Sequence, residues 1–236
     1  MKIDLEDALA KLEDARHDDV DEAVTNALFR VGLAWLERER YDEAFEALDE
    51  ARYMCGKLEH LSGAAHSDVA LAQVALARGQ LAQAEELAKG ALAFFERDQD
   101  LAGQVKALET GSQIFLTAGR QEEAAQCLEK ALVIAENAGD KVAQVLFWQY
   151  LAGIYRGMNR QEEALGAYRA LGRLTIELGD HQRTALAAVG VGTMLSALAR
   201  KDDALAAFAQ ARDVYKSLGQ LQRASQVEDV MESLAD

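Results

Sequence analysis

The chain has 236 residues, half of them apolar, with 40 acidic side chains against 25 lysines and arginines and a formal charge of -15. That apolar content allows a continuous core, while the charge argues against DNA, RNA or an anionic membrane as partner, since each is met by a basic face. Proline is absent, where about one residue in twenty is usual, so nothing forces a helix to break.

At the start, Lys2 is the only cation before Asp4, Glu6 and Asp7, and no apolar stretch of signal-peptide or transmembrane length follows. A soluble, unexported, cytoplasmic chain is expected. Residues Leu5 to Arg16 align with Tyr41 to Arg52: Ala8 matches Ala44, Leu12 matches Leu48, and Ala15 with Arg16 matches Ala51 with Arg52. Residues 1–19 therefore read as the second half of a repeating unit, joined to the next by the short link His17 to Asp19. Because Leu5, Leu9 and Leu12 share one helical face, a rival reading is a free amphipathic arm folded into its own groove.

The repeat itself is carried by Arg120 to Ala124, Arg-Gln-Glu-Glu-Ala, which returns forty positions later at Arg160 to Ala164, with Ala44, Ala84 and Ala204 in the same register. A fixed period of this size marks an array of stacked units. The expected boundaries are 20–60, 61–100, 101–140, 141–180 and 181–220. Each unit shows two helical patterns. In the first, Leu28, Val31, Gly32 and Trp35 share a face of one helix, and Ala44, Leu48 and Ala51 share a face of the next.

Turns within the units fall at Glu39, Gly79, Gly119, Asn159 and Ala199. Three of these are residue types that readily take the left-handed conformation ending a helix, and Glu39 and Ala199 are weaker stops. Paired carboxylates follow at Asp42 and Glu43, Glu122 and Glu123, Glu162 and Glu163, and Asp202 and Asp203, where they suit the positive end of a helix. Between units, Gly139 with Asp140 and Gly179 with Asp180 read as a stop followed by a cap, Gly219 keeps the pattern, and Glu59 and Gln99 depart from it. Residues 221–236 place Ala224, Val227, Val230, Met231 and Leu234 at helical spacing and read as a closing helix, polar outside.

No constellation supports catalysis. His17, His60, His66 and His181 are scattered among turns and helix starts, and no nucleophile has a base at motif spacing. Cys55, His60 and His66 come nearest to a metal set, but their spacing straddles a helix end and matches no familiar ligand pattern. Cys55 and Cys127, lacking paired spacing, read as reduced thiols. No metal or cofactor is expected, and the chain is not expected to be an enzyme.

These residues resemble the tetratricopeptide repeat family, whose pattern is Trp, two residues, Leu, Gly, two residues, Tyr, then Ala, three residues, Phe. The fourth unit matches at Trp148, Leu151, Ala152, Tyr155, Ala164 and Tyr168. The first matches at Leu28, Val31, Gly32, Trp35, Ala44 and Leu48. Gly32, Ala72, Ser112, Ala152 and Gly192 form a small-residue column where two helices approach. The ordinary unit has 34 residues and a proline near its end; the longer unit here resembles the forty-residue branch of the family.

The resemblance implies an all-α fold, a right-handed α-solenoid of antiparallel helix pairs with about twelve helices, whose first helices line a concave groove. It implies a non-catalytic adaptor that binds a peptide or amphipathic helix of another protein. Alternatives are a peptide-sensing regulator and a self-assembling scaffold that forms a homo-oligomer. Phe29, Leu33, Leu36, Val69, Leu76 and Leu116 would form an apolar strip in the groove. Asn26, Arg30, His66, Gln73, Lys106, Gln113, Gln149 and Arg156 would form a mildly basic lining, which suggests an acidic partner. Longer helices could instead tilt the Leu36 column into the core. The carboxylate clamp of some family members survives only in fragments, at Asn26 and Arg30, His66 and Ala70, and Lys106 and Thr110.

Overall fold

The computed structural model describes residues 3–18 and 20–235, so Lys2 and the end of the first link, Asp19, lie outside the described residues. Twelve helices occupy them: α1 Leu5–His17, α2 Asp21–Leu36, α3 Tyr41–Lys57, α4 Leu61–Ala77, α5 Leu81–Asp98, α6 Leu101–Thr117, α7 Gln121–Asn137, α8 Lys141–Gly157, α9 Gln161–Glu177, α10 His181–Ala197, α11 Lys201–Ser217 and α12 Leu221–Ala235. No strand occurs among the described residues.

Among the described residues ten hold left-handed backbone, spaced twenty apart from Glu39 to Gly219, and each sits just past a helix end. The hydrogen bonds around Glu39 are representative. Its amide donates to Leu36 O at 3.0 Å, and the Arg40 amide reaches back to Trp35 O at 3.0 Å, which satisfies the last carbonyls of α2. Glu39, Glu59, Gln99, Asn159 and Ala199 take this conformation without being glycine. The weak stops and the departures from the glycine pattern therefore still turn, because packing of the flanking helices outweighs local preference. Asp100, Asp140 and Asp180 cap α6, α8 and α10 by accepting amides from the first turn.

The chain divides into two compact units, Met1–Cys127 and Leu128–Asp236, with the division inside α7. In the first, neighbouring helices from α1 to α6 pack in sequence, and α2 touches α4 as α4 touches α6. Thus α2, α4 and α6 share one layer and α3 and α5 the other. Helix α1 packs on α2 through Ala8, Leu12 and Ala15, all buried, so it stacks as a second helix of a pair does and is not a free arm. In the second unit α8 to α12 pack in sequence in the same way.

The small-residue column lies where helices of a pair cross. A methyl group on Gly32 would stand 2.5 Å from Leu48 Cγ, and one on Gly192 would stand 2.8 Å from the Phe208 ring. Ala72, Ser112 and Ala152 of the same column are buried. Forty residues beyond Gly192 the column holds Glu232, which is exposed. Glu232 thus puts a charge where the earlier first helices have a small residue, while Glu228, one turn before it, accepts from Lys216 Nζ of α11 at 2.7 Å.

Candidate binding surfaces

In the first unit the predicted lining residues fall on α2, α4 and α6, and the structure sorts them by depth. Asn26, Arg30, Lys106, Gln113 and Leu116 are exposed, whereas Phe29, Leu33, Leu36, His66, Gln73 and Leu76 are half-buried. Val69 is a correction. It is 3% exposed, packed in the cluster of Ala65, Ala91, Phe95 and Ala107, and so belongs to the core. The column it shares with Phe29 and Gln149 lies at the edge of the packed layer, where a short branched side chain goes under and a long polar one reaches out. Leu36 packs on the cluster of Leu48, Leu71 and Val74, and Leu76 on that of Ala72, Ala75 and Ile114, while Leu116 keeps 37% exposure. Leu36 and Leu76 are thus half-buried against the core, and Leu116 is the member of the column that stays in solvent.

The polar residues are partly committed. Gln73 Nε2 donates to Thr110 Oγ1 at 3.1 Å, tying α4 to α6. His66 lies 3.4 Å from an Asp100 carboxylate oxygen and 4.8 Å from the Phe95 ring centre, which anchors it beside the cap of α6. Arg30 faces Asp7 at 3.8 Å, and Lys106 faces Glu109 at 3.2 Å. Both cations thus stand beside carboxylates of their own chain. Asn26 and Arg30 open onto a cleft of about 390 Å³ between α1 and α2, floored by Ala8, Ala15 and Ala27. Ala70 and Thr110, of the fragmentary clamp, are buried.

In the second unit Gln149 and Arg156 are exposed on α8. A second cleft, of about 200 Å³, lies among α9, α10 and α11. Gly172, Ala187, Ala188, Val191 and Ala207 floor it, and Arg169, Arg173 and Ile176 stand beside them on α9. Sequence reasoning missed this surface because it followed the first helix of each pair, whereas the walls here belong to second helices.

The Arg-Gln-Glu-Glu-Ala motif also does more than set the register. Arg120 Nε donates to Glu123 at 2.6 Å, its Nη1 to Glu85 at 2.7 Å, and its guanidinium lies 4.4 Å from the Phe115 ring centre. Arg160 likewise stands over Tyr155 and pairs with Glu163. The arginine, and not the alanine alone, is fastened to the fold. Neither cysteine forms a disulfide: Cys55 is buried, which pushes its thiol pKa up, and Cys127 is half-buried. Among the described residues no group of His, Cys, Asp and Glu is arranged to hold a metal, and no helix is long and apolar enough to cross a membrane.

Comparison with protein-family models and with curated proteins gives no match. Solved structures do match. BtubC (BKLC) from P. vanneervenii aligns with a TM-score of 0.77 at 14% identity, over 91% of each chain. The nearly identical TPR-like repeats of a putative kinesin light chain from Podosopora anserina align at 0.68 and 16%, over 81% of this chain and 95% of that one. YrrB, described as a TPR protein with an unusual peptide-binding site, aligns at 0.55 and 17%, over 94% of this chain and all of that one. Identities this low report architecture alone. The chain has the all-helical, tetratricopeptide-like repeat fold.

Proposed function

We propose that the chain is a non-catalytic interaction module that takes a peptide or amphipathic helix of a partner protein on the face shared by α2, α4 and α6. The observation that carries this reading is the row on α6, where Lys106, Gln113 and Leu116 all stay in solvent. Gln113 and Asn26 keep their amides open to a peptide backbone, and Leu116 supplies apolar contact beside half-buried Leu76. That the fold is shared with a protein described as having a peptide-binding site adds support.

The preference for an acidic partner is weaker on this face than the sequence suggested, since Arg30 and Lys106 already stand beside Asp7 and Glu109. End-to-end self-assembly is disfavoured at α12 by the exposed carboxylate of Glu232, which stands in the column where the earlier first helices have a small residue. The test is quantitative capture of partner from the native cytosol by wild type, Leu116→Glu and Lys106→Glu. Leu116→Glu should lower capture about tenfold or more with the helical circular dichroism unchanged, as expected when an apolar contact becomes a buried charge. Equal capture by wild type and both variants would remove the assignment.

A further inference from the structure

We propose that the cleft among α9, α10 and α11 is a socket for an acidic segment of a partner, one large apolar side chain entering between Gly172 and Ala188 while neighbouring carboxylates meet Arg169 and Arg173. The forty-residue register shows what is special here. At the places equivalent to Gly172 and Ala188, the α3–α4 junction holds Arg52 and Asp68, 3.4 Å apart, and the α11–α12 junction holds Arg212 and Glu228 at 4.0 Å. The α5–α6 junction holds Leu92 and Leu108 there, and the α7–α8 positions are Leu132 and Trp148. Only at α9–α10 are both side chains cut back, to a hydrogen and a methyl group, and the space they leave is the cleft of about 200 Å³.

No close backbone approach requires the glycine. A methyl group on Gly172 would meet only Ala187 Cβ, at an ordinary 3.6 Å, so a Cβ is tolerated and the interior glycine weakens α9 without a close contact that demands it. The volume is below the roughly 300–1,000 Å³ of small-molecule sites, which suits a single side chain. Buried apolar anchors of this kind, ringed by polar contacts, carry most of the energy at protein interfaces.

Charge selects the partner. Arg169 and Arg173 lie one turn apart on α9, both exposed, and neither makes an ion pair or hydrogen bond among the described residues. Several other cations of this unit are engaged, Arg183 with Asp180, Arg200 with Asp203, and Arg212 and Lys216 with Glu228, while Arg156 on α8 is exposed like Arg169 and Arg173 but lies away from the cleft lining. Glu177, one turn beyond Arg173, is held by Lys141 at 2.9 Å. Arg173 also acts through its charge on Glu177, but neither arginine is tied by a hydrogen bond, and in a chain of charge -15 the pair beside an apolar opening offsets locally the repulsion an acidic segment would otherwise meet. Ile176, 59% exposed, extends the apolar rim.

The test uses the full chain and a fluorescein-labelled synthetic peptide with one central phenylalanine flanked on both sides by aspartates and glutamates. Anisotropy should report saturable binding. Affinity should fall about tenfold or more when the peptide phenylalanine becomes alanine, or when the protein carries Arg169→Glu with Arg173→Glu. Gly172→Leu with Ala188→Leu restores the side chains found at the α5–α6 junction. It should abolish binding while raising the melting temperature, and Gly172→Leu alone serves if the double variant loses helical signal. Lys106→Glu, on the other unit, should leave this binding unchanged, which separates it from the α2–α4–α6 face. Absence of saturable binding to wild type, or unchanged binding by the filled or the charge-reversed variant, would overturn the proposal.

Discussion

Ala199 holds left-handed backbone, with φ of 57°, although its Cβ gains nothing there. An L residue in this region costs roughly 1–2 kcal/mol, and glycine gives back part of that relief as unfolded-chain entropy. Ala199→Gly should therefore stabilise the fold by about 0.5–1 kcal/mol, read as a higher melting temperature in calorimetry. An unchanged or lower melting temperature would mean that the turn is unstrained. Gly192 is the opposite case, because the Phe208 ring it meets is buried and cannot withdraw. Gly192→Val should cost about 1–3 kcal/mol as overpacking, with denaturant titration as the check. Both positions were visible in the sequence, one as a weak stop and the other as a member of a small column. Val69 was not, because at the edge of a packed layer burial depends on the length of each side chain and not on its register.

The second helices α3, α7, α9 and α11 are fastened at their first turns by the arginine that precedes each, whereas α5 has Gln80 at that place. Arg120 donates to both Glu123 and Glu85, and this hydrogen bonding holds the Glu123 carboxyl below its ordinary value of 4.5; Glu85 is lowered first by Lys89 and then by Arg120. A carboxylate whose folded pKa is lowered contributes stability that is present above the unfolded value and lost as pH falls through the folded one. The melting-temperature gap between wild type and Arg120→Gln should thus be full at neutral pH and shrink as pH falls below 4.5. A gap independent of pH would assign the arginine's contribution to its stacking on Phe115 alone. In the sequence the motif set the register, and its paired carboxylates suited a helix start. The stacking partner lies five residues earlier, in the helix before the turn, and becomes apparent only once the turn brings Arg120 back over that ring.

For the whole chain, periodicity revealed the architecture because stacking interfaces repeat with the units: the helices, their turns and the crossing column all follow the forty-residue step. The binding surfaces were harder to read. On α2, α4 and α6 some candidates proved structural, as with Gln73 on Thr110 and His66 beside Asp100. On α9 and α10 the signal was a double departure from the register, at Gly172 and Ala188, which emerges only when second helices are compared column by column. What a repeat protein shares among its units holds it together, and what differs is free to recognise a partner. The most direct measurement is quantitative capture of partner proteins from a native extract by wild type, Leu116→Glu and the filled variant Gly172→Leu with Ala188→Leu, each with its melting curve. A binding module predicts loss of partner in Leu116→Glu at unchanged helicity, and loss of acidic segments in a filled variant that melts higher. Identical capture by all three folded proteins would contradict it.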